Sequence, residues 1–216
     1  MLIFIITFAR TGGMILCETI GQHPEILTLN EVANWRERIK EGKNAVIKLW
    51  IRDMFHPIKK TDIFNQFPDA KFISVNRNPR DLSASLKALQ EVGRPAKNFL
   101  THVNVHKHNI WIEGAVQYKE FLNWRKTHEN NPNLMVINFN DLILKKHETF
   151  KKIFKWIGLE ITDEISNYIN KFISNQPIKN YPGQASSMSR KTKVGNYKEI
   201  LTEDEIKIID FKFSNL

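Results

Sequence analysis

Short apolar runs recur along the chain and are separated by amphipathic stretches. Five of these runs are rich in β-branched and aromatic residues and have the length of a buried strand. They predict strands at residues 1–8, 26–29, 44–51, 71–76 and 134–139. The first run, Met-Leu-Ile-Phe-Ile-Ile-Thr-Phe, contains no charged residue. Continuous apolar character of this kind is typical of strands that are covered on both faces.

Segments with helical periodicity lie between the predicted strands. They predict helices at residues 14–20, 32–40, 81–91, 103–128 and 146–157, followed by one capped at Thr162 and a last one with a capping box that starts at Thr202. Strands that alternate with helices favour an α/β fold, in which a mainly parallel sheet lies between two layers of helices. In such a three-layer α/β/α domain, ligands bind outside the carboxyl ends of the strands.

Length and composition narrow the class of protein further. The 216 residues, of which 42% are hydrophobic and 25% charged, are expected to form a single domain over residues 1–216. The net charge of +9 indicates an anionic partner, but no long Lys/Arg run or recognition-helix pattern points to nucleic acid. One cysteine, Cys17, excludes an internal disulfide and a thiolate zinc cluster.

The same features predict a location. The opening apolar run is too short to span a membrane, and it has neither a basic region before it nor a cleavage site after it. We therefore expect a cytoplasmic protein without a membrane span.

The first candidate site is the loop between the first strand and the first helix. Arg10 and Thr11 supply donors, Gly12 and Gly13 let backbone N–H groups close on an anion, and the helix that follows adds a partial positive charge. An ordinary strand-to-helix turn is the alternative. If Gly12 is the last glycine of a GxxxxGK[ST] loop, Gly13 replaces its lysine and Met14 its magnesium-binding hydroxyl, so the groups that an ATP-dependent kinase needs are missing.

Two further stretches carry cations. Arg77 ends the fourth strand and Ser85 lies two turns into the next helix, where both could hold a second phosphate. In the alternative interpretation, Arg77 pairs with Asp81 and Ser85 only packs. Near the C-terminus, the basic stretch 189–195 could form a lid over a nucleotide, or could be a solvated loop.

In their order and spacing, the three stretches resemble the sulfotransferases that use 3′-phosphoadenosine 5′-phosphosulfate (PAPS), with a P-loop NTPase-like sulfotransferase fold. The spacing is closest to that of the membrane-type and tyrosylprotein enzymes. The resemblance implies that PAPS is the donor, that 3′-phosphoadenosine 5′-phosphate (PAP) is the product and that no metal is required. It implies three donor-binding motifs. The 5′-phosphosulfate loop corresponds here to Arg10, Thr11, Gly12, Gly13 and Met14. The pair that binds the 3′-phosphate corresponds to Arg77 and Ser85, and the RKxxxG loop corresponds to Arg190, Lys191 and Gly195.

The chain departs from this family pattern in the first loop. The family has one or two Ser/Thr residues directly after the glycine, whereas this chain has Gly13 and Met14. Two hydroxyl contacts to the phosphosulfate are therefore expected to be missing, and we predict weak donor binding or low activity.

Sulfuryl transfer needs a base for the acceptor and a cation for the leaving phosphate. Arg10 fits the second role, and Lys48 could also face the sulfate. Glu31 and His56 are the candidate bases. The Lys-Thr-His of cytosolic sulfotransferases is replaced by Lys48-Leu49-Trp50, and this mismatch favours Glu31, whose offset from Arg10 resembles that of the catalytic glutamate in tyrosylprotein sulfotransferases.

We therefore predict a sulfotransferase that moves a sulfuryl group from PAPS to a hydroxyl or amine of a small-molecule, glycan or peptide acceptor. Two alternatives stay open: a non-catalytic relative that binds a nucleotide or glycan, and an ATP-dependent phosphotransferase of the same fold. No pattern in the sequence indicates the acceptor or the oligomeric state.

Overall fold

A single parallel sheet forms the centre of the computed structural model, which describes residues 1–32, 34–39, 42–49, 63–91, 109–173 and 193–214. Its strands run in the order β2-β3-β1-β4-β5, and every neighbouring pair is parallel. Their carboxyl ends therefore meet at one edge, with β1 in the middle. The strand bounds are β1 (Leu2–Ile5), β2 (Ile26–Asn30), β3 (Asn44–Lys48), β4 (Lys71–Asn76) and β5 (Leu134–Asn138).

Helices lie between the strands and after the last one. Numbered in chain order through the described residues, they are α1 (Gly13–Ile20), α2 (Trp35–Arg38), α3 (Ile63–Gln66), α4 (Pro79–Glu91), α5 (Ile110–Lys126), α6 (Phe139–Leu144), α7 (Lys146–Ile157), α8 (Asp163–Phe172), α9 (Tyr197–Ile200) and α10 (Glu203–Phe213).

Alternating residues of the strands bury the two faces of the sheet against different helices. Ile3 and Ile5 belong to a core that also contains the apolar side chains of α1, α7 and α8. Phe4, which points the other way, stacks on Phe72 with ring centroids 5.5 Å apart and contacts Trp35 edge-on. A third apolar cluster joins α4, α5 and α10. These packed faces confirm the predicted three-layer α/β fold.

Several boundaries differ from the prediction. The first strand was predicted to reach Phe8 but ends at Ile5, because the chain turns away into the loop while Ile6 to Phe8 stay buried. Ile6 still donates its backbone N–H to the Ile73 carbonyl of β4 at 2.9 Å, and burial accounts for the apolar side chains of Ile6 and Phe8. At the other end of the sheet, Phe139 begins the short helix α6 instead of ending β5.

Some predicted segments are only partly covered by the described residues. The helix predicted at 32–40 is seen as α2, and the long helix predicted at 103–128 is seen from Ile110 onward. Both predicted caps are present: Thr162 accepts a hydrogen bond from Ile165, and Thr202 forms a capping box with Glu205.

Cys17 lies on the inner face of α1 and has no exposed surface. Burial raises the pKa of its thiol to about 12, although the nearby Lys48 ammonium acts in the opposite direction.

Among the described helices, none has the length and apolar composition to cross a bilayer.

Candidate functional site

The loop between β1 and α1 lies at the carboxyl edge of the sheet. Gly12 precedes the helix with φ 102°, a left-handed conformation that glycine adopts without a steric penalty. A Cβ atom at this position would come within 3.0 Å of the Phe139 ring, so the loop packs closely on α6. Helix α1 starts with neither a side-chain cap nor an acidic residue in its first turn. The first N–H groups of α1 are therefore not capped by the residue that precedes the helix, and a helix start at the carboxyl edge of a parallel sheet is a common anion site.

Thr11 closes this loop on itself. The residue is fully buried, and its hydroxyl donates a 2.6 Å hydrogen bond to the carbonyl of Phe8. Its backbone N–H donates to the same carbonyl at 3.3 Å. The hydroxyl hydrogen, which we expected to be available to an anion, is used inside the loop in this structure. A role for Thr11 toward the donor stays a prediction.

Arg10 connects the first candidate site to the second. Its Nε donates to the Ser85 hydroxyl at 3.1 Å, and its own carbonyl accepts a hydrogen bond from Nη1 of Arg77. These contacts join residues that are 67 to 75 positions apart in the chain. The stretches predicted to hold the 5′ and the 3′ ends of the donor are therefore adjacent, as the common sheet edge required.

Arg77 is a buried cation whose hydrogen-bonding capacity is not fully used. Only 6% of its surface is exposed, and its Nε and Nη2 atoms have no hydrogen-bond partner among the described residues. Burial lowers the pKa of the guanidinium to about 10, an effect that Asp81 partly opposes. Buried N–H groups are nearly always satisfied in native proteins, so these two call for an acceptor such as a phosphate oxygen.

Two aromatic side chains hold Arg77 in place. Its backbone N–H donates to the Tyr118 hydroxyl at 2.7 Å, and that hydroxyl donates to the Arg77 carbonyl at 3.0 Å. The ring of Phe139 lies against the guanidinium, with 4.2 Å between the ring centroid and Cζ. Tyr118 lies in the helix predicted at residues 103–128, and Phe139 in the strand predicted at residues 134–139; neither sequence pattern indicated these contacts.

Glu31 and Lys48 form a second polar cluster beside the loop. Glu31 follows β2, its backbone N–H donates to the Lys48 carbonyl at 3.1 Å, and its carboxylate pairs with the Lys48 ammonium. The Lys48 side chain also runs past the start of α1, because its Cε lies 3.1 Å from where a Cβ of Gly13 would be. The carboxylate, the ammonium and the loop are thus contiguous.

Backbone strain singles out two of these residues. Among the described residues that are not glycine, only Arg10 and Glu31 have positive φ, at 64° and 56°. An L-residue in this conformation is strained by about 1–2 kcal/mol. Strain of this kind tends to occur where function fixes a side chain, which is consistent with both residues belonging to a site.

The third stretch is described only from residue 193 onward. Arg190 and Lys191 lie outside the described residues, and so does the alternative base His56. The N–H groups of Gly195 and Tyr197 donate to the two carboxylate oxygens of Asp81 at 2.9 and 3.2 Å. Asp81 was considered only as a possible partner of Arg77. No ion pair joins these two described side chains in the structure, and Asp81 instead anchors Gly195 and Tyr197 to α4.

No cluster of three or more His, Cys, Asp or Glu side chains suited to a metal ion occurs in the part of the chain that the structure describes. The polar groups at the sheet edge are instead cations, hydroxyls and backbone donors, with the carboxylates of Glu31 and Asp81 among them. This composition suits a ligand with two separated anionic groups.

Comparison with solved structures identifies similar folds. The mouse sulfotransferase SULT7A1 complexed with PAP is 17% identical, with a TM-score of 0.72 over 99% of this chain and 83% of that one. Retinol dehydratase in a complex with retinol and PAP is 13% identical, with a TM-score of 0.61 over 99% and 80% of the two chains. Sulfotransferase STF1 from Mycobacterium tuberculosis H37Rv is 13% identical, with a TM-score of 0.57 over 99% and 76%.

Comparison at the level of sequence gives the family. No curated protein matches the chain. A family model described as the sulfotransferase family matches residues 56–163, which is half of the 216 residues. The matched region contains Arg77 and Ser85, whereas Arg10, Glu31 and Lys48 precede it. The chain belongs to the sulfotransferase family.

Proposed function

We propose that the chain transfers a sulfuryl group from PAPS to a hydroxyl or amine acceptor and releases PAP. The observation that carries this proposal is the junction of Arg10, Arg77 and Ser85 at the carboxyl ends of β1 and β4. A donor with phosphates at its 3′ and 5′ positions has the two separated anionic groups that such a junction can bind. The mouse sulfotransferase and retinol dehydratase structures, both of which contain PAP, support the same choice of nucleotide.

The 3′-phosphate would be held by Arg77 and Ser85. Arg77 has two buried guanidinium nitrogens without a partner among the described residues. The Ser85 hydroxyl is joined to Arg77 by Arg10, which contacts both residues. The 5′-phosphosulfate would lie at the start of α1, where backbone N–H groups and the helix dipole favour an anion. We assign further donor contacts to Arg190 and Lys191 on the basis of the family resemblance alone.

In the reaction, the acceptor oxygen or nitrogen attacks sulfur while the bond between sulfur and the bridging phosphate oxygen breaks. The electron pair of that bond stays on the phosphate, and PAP leaves. We assign Glu31 as the base that takes the acceptor proton, and Arg10 as the cation that stabilises the charge on the bridging oxygen. Lys48 pairs with Glu31 in this structure and would have to move to the donor before Glu31 can accept a proton.

The test is transfer of radioactive sulfate. The purified chain is incubated with sulfur-35-labelled PAPS and a panel of phenols, sugars, peptides and amines, and parallel reactions contain γ-labelled ATP with magnesium. We expect a labelled acceptor and PAP in the first set and no transfer in the second. Binding of PAP without transfer to any acceptor would favour a non-catalytic relative, and magnesium-dependent transfer from ATP would favour a phosphotransferase.

A further inference from the structure

Thr7 is a buried hydroxyl that the function proposed above does not use. It lies between β1 and the loop, only 2% of its surface is exposed, and Oγ1 has no hydrogen-bond partner among the described residues. Burying a hydroxyl without a partner is unfavourable, and native proteins rarely do so without a ligand or a water to complete the bond. The position of the hydroxyl suggests what that ligand is.

The hydroxyl of Thr7 occupies the space beside the first residue of α1. A Cβ atom built on Gly13 would collide with Oγ1 of Thr7, at a separation that nonbonded atoms do not reach. A serine or threonine at position 13 would carry its own hydroxyl one bond length from that Cβ. The oxygen of Thr7 therefore lies next to the place where the sulfotransferases that this chain resembles carry a loop hydroxyl.

We infer that the Thr7 hydroxyl replaces the missing hydroxyl of residue 13 and donates a hydrogen bond to the 5′-phosphosulfate of the donor. Gly13 is the change that makes this possible, because any side chain at that position would displace Thr7. The inference rests on the proposed function, since it names a further residue of the same donor site. It also removes one reason to expect weak donor binding from the loop sequence.

The Lys48 side chain passes close to this hydroxyl. Its Cε lies 3.1 Å from the same built Cβ position, and its ammonium is paired with Glu31. An anion at the start of α1 would compete with Glu31 for that ammonium.

The first experiment compares Thr7→Val, which replaces the hydroxyl by a methyl group, with the conservative Thr7→Ser. Calorimetry measures the binding of PAP and of adenosine 3′-monophosphate, which lacks the 5′ group. We expect Thr7→Val to weaken PAP about tenfold, as for a lost hydrogen bond to a charged group, and to leave adenosine 3′-monophosphate unchanged. Thr7→Ser should keep most of the affinity for PAP.

Thermal unfolding without ligand distinguishes a ligand-binding role from a structural one. Because the hydroxyl has no partner in the protein, Thr7→Val should leave the Tm unchanged or raise it. A structural hydroxyl would lower the Tm when removed. Reduced affinity for PAP together with undiminished stability is therefore the expected signature.

The second experiment moves the hydroxyl back to position 13. Gly13→Ser alone should weaken PAP, because the new side chain collides with Thr7. The double variant Thr7→Ala with Gly13→Ser removes the clash with Oγ1, leaving the Cβ of residue 7 at 3.2 Å, and supplies a hydroxyl from the helix. It should bind PAP more tightly than Thr7→Ala alone.

Each outcome decides a different point. If the unmodified chain binds PAP and Thr7→Val binds it equally well, the inference about Thr7 is wrong and the proposed function stands. If Thr7→Val weakens both nucleotides equally or lowers the Tm, Thr7 is structural and the inference is again wrong. If the unmodified chain binds neither nucleotide, the proposed function fails and the inference fails with it.

Discussion

Arg77 shows at the scale of one residue how the fold prepares a charged site. Tyr118 fixes its backbone, the Phe139 ring supports its guanidinium, and one of its nitrogens donates to the Arg10 carbonyl. The burial of a guanidinium with unpartnered nitrogens is costly unless a ligand supplies the missing acceptors. The side chain is therefore held in advance of binding, which lowers the entropy lost when an anion arrives.

The first prediction concerns Arg77→Ala. It should weaken PAP by about tenfold or more and leave ligands without a 3′-phosphate nearly unaffected, because charge-assisted hydrogen bonds to that phosphate are lost. Calorimetry with PAP and with adenosine 5′-monophosphate measures both effects. Arg38→Ala removes the same charge from an exposed position of α2 and is the matched control. Equal weakening of the two nucleotides would mean that Arg77 is structural.

The second prediction concerns Glu31→Gln, which keeps the size of the side chain and removes its basicity. A positioned base contributes about 10²–10⁴ in rate, so kcat should fall at least about a hundredfold while donor affinity stays normal. Nitrophenol acceptors, whose hydroxyls are more acidic, should be affected less. Glu37→Gln, on the exposed face of α2, controls for loss of a carboxylate. Near-normal kcat in Glu31→Gln together with inactive His56→Ala would transfer the role to the histidine.

At the scale of elements, the described C-terminal residues 193–214 are fixed to α4 both before α9 and within α10. Asp81 accepts the N–H groups of Gly195 and Tyr197. Arg80 forms a bidentate pair with Asp210 at 2.8 and 2.7 Å, and Lys87 holds both carboxylate oxygens of Glu205. Helix α4 also carries Ser85. The same helix therefore positions Ser85, which we propose binds the donor, and the segment that follows Arg190 and Lys191.

The third prediction tests this anchor with Asp81→Asn. An amide has one acceptor oxygen where the carboxylate uses two, so one partly buried N–H, of Gly195 or Tyr197, loses its partner, at about 1–3 kcal/mol. Urea denaturation should show a loss of that size in the free energy of unfolding, and calorimetry should show weaker binding of PAP. Asp204→Asn, at an exposed position in the first turn of α10, should change neither quantity. Unaltered stability in Asp81→Asn would contradict the anchoring role.

The fourth prediction concerns the pH dependence of the contact between α4 and α10. Partial burial disfavours ionisation of Glu205, but the hydrogen bonds from Lys87 and Thr202 outweigh this effect and lower the pKa of its carboxyl. A lowered pKa means that the stabilisation is fully present above the unfolded value of 4.5 and is lost as pH falls through the folded value. Glu205→Gln should therefore destabilise the chain by about 1 kcal/mol at pH 7.

Urea denaturation at pH 7 and at pH 3 checks this sign. The difference between Glu205→Gln and the unmodified chain should be smaller at pH 3 than at pH 7, because protonation of the native carboxyl removes this stabilisation as the pH falls. Glu203→Gln, also in the first turn of α10 but exposed, should show a smaller effect at both values. A difference that grows at low pH would mean that the pKa of Glu205 is not lowered in the folded chain.

At the scale of the whole molecule, some features of the fold could be predicted from the sequence and others could not. The parallel sheet and the place of the loop followed from local apolar periodicity, which each segment carries by itself. Strand ends were less predictable, because Ile6 to Phe8 are buried without belonging to β1. The apolar pattern records burial and does not distinguish a strand from a buried turn.

The candidate site was predicted by residue type but not by contact. That Arg10 and Arg77 would both lie at the sheet edge followed from their positions after predicted parallel strands, whose carboxyl ends meet at one edge. Their hydrogen bond, the contact of Arg10 with Ser85 and the anchoring of Gly195 by Asp81 each join residues at least 67 positions apart. Such contacts depend on side-chain conformations that only the assembled domain determines. The lack of a hydrogen-bond partner for the Thr7 hydroxyl could not be predicted either, because a threonine in an apolar run is an ordinary strand residue.

Cys17 gives the molecule a reporter of its own opening. As the single cysteine of the chain, fully buried and with a raised pKa, it can react with a maleimide only after the first helix has been exposed. We expect native labelling to be far slower than labelling in urea, which mass spectrometry can follow. A ligand that binds only the native state lowers the population of the open form by a factor of one plus the ratio of ligand concentration to Kd, which is about a hundredfold at a concentration of 100 times Kd. Donors and acceptors could thus be found by screening for protected thiol, without any assay of turnover.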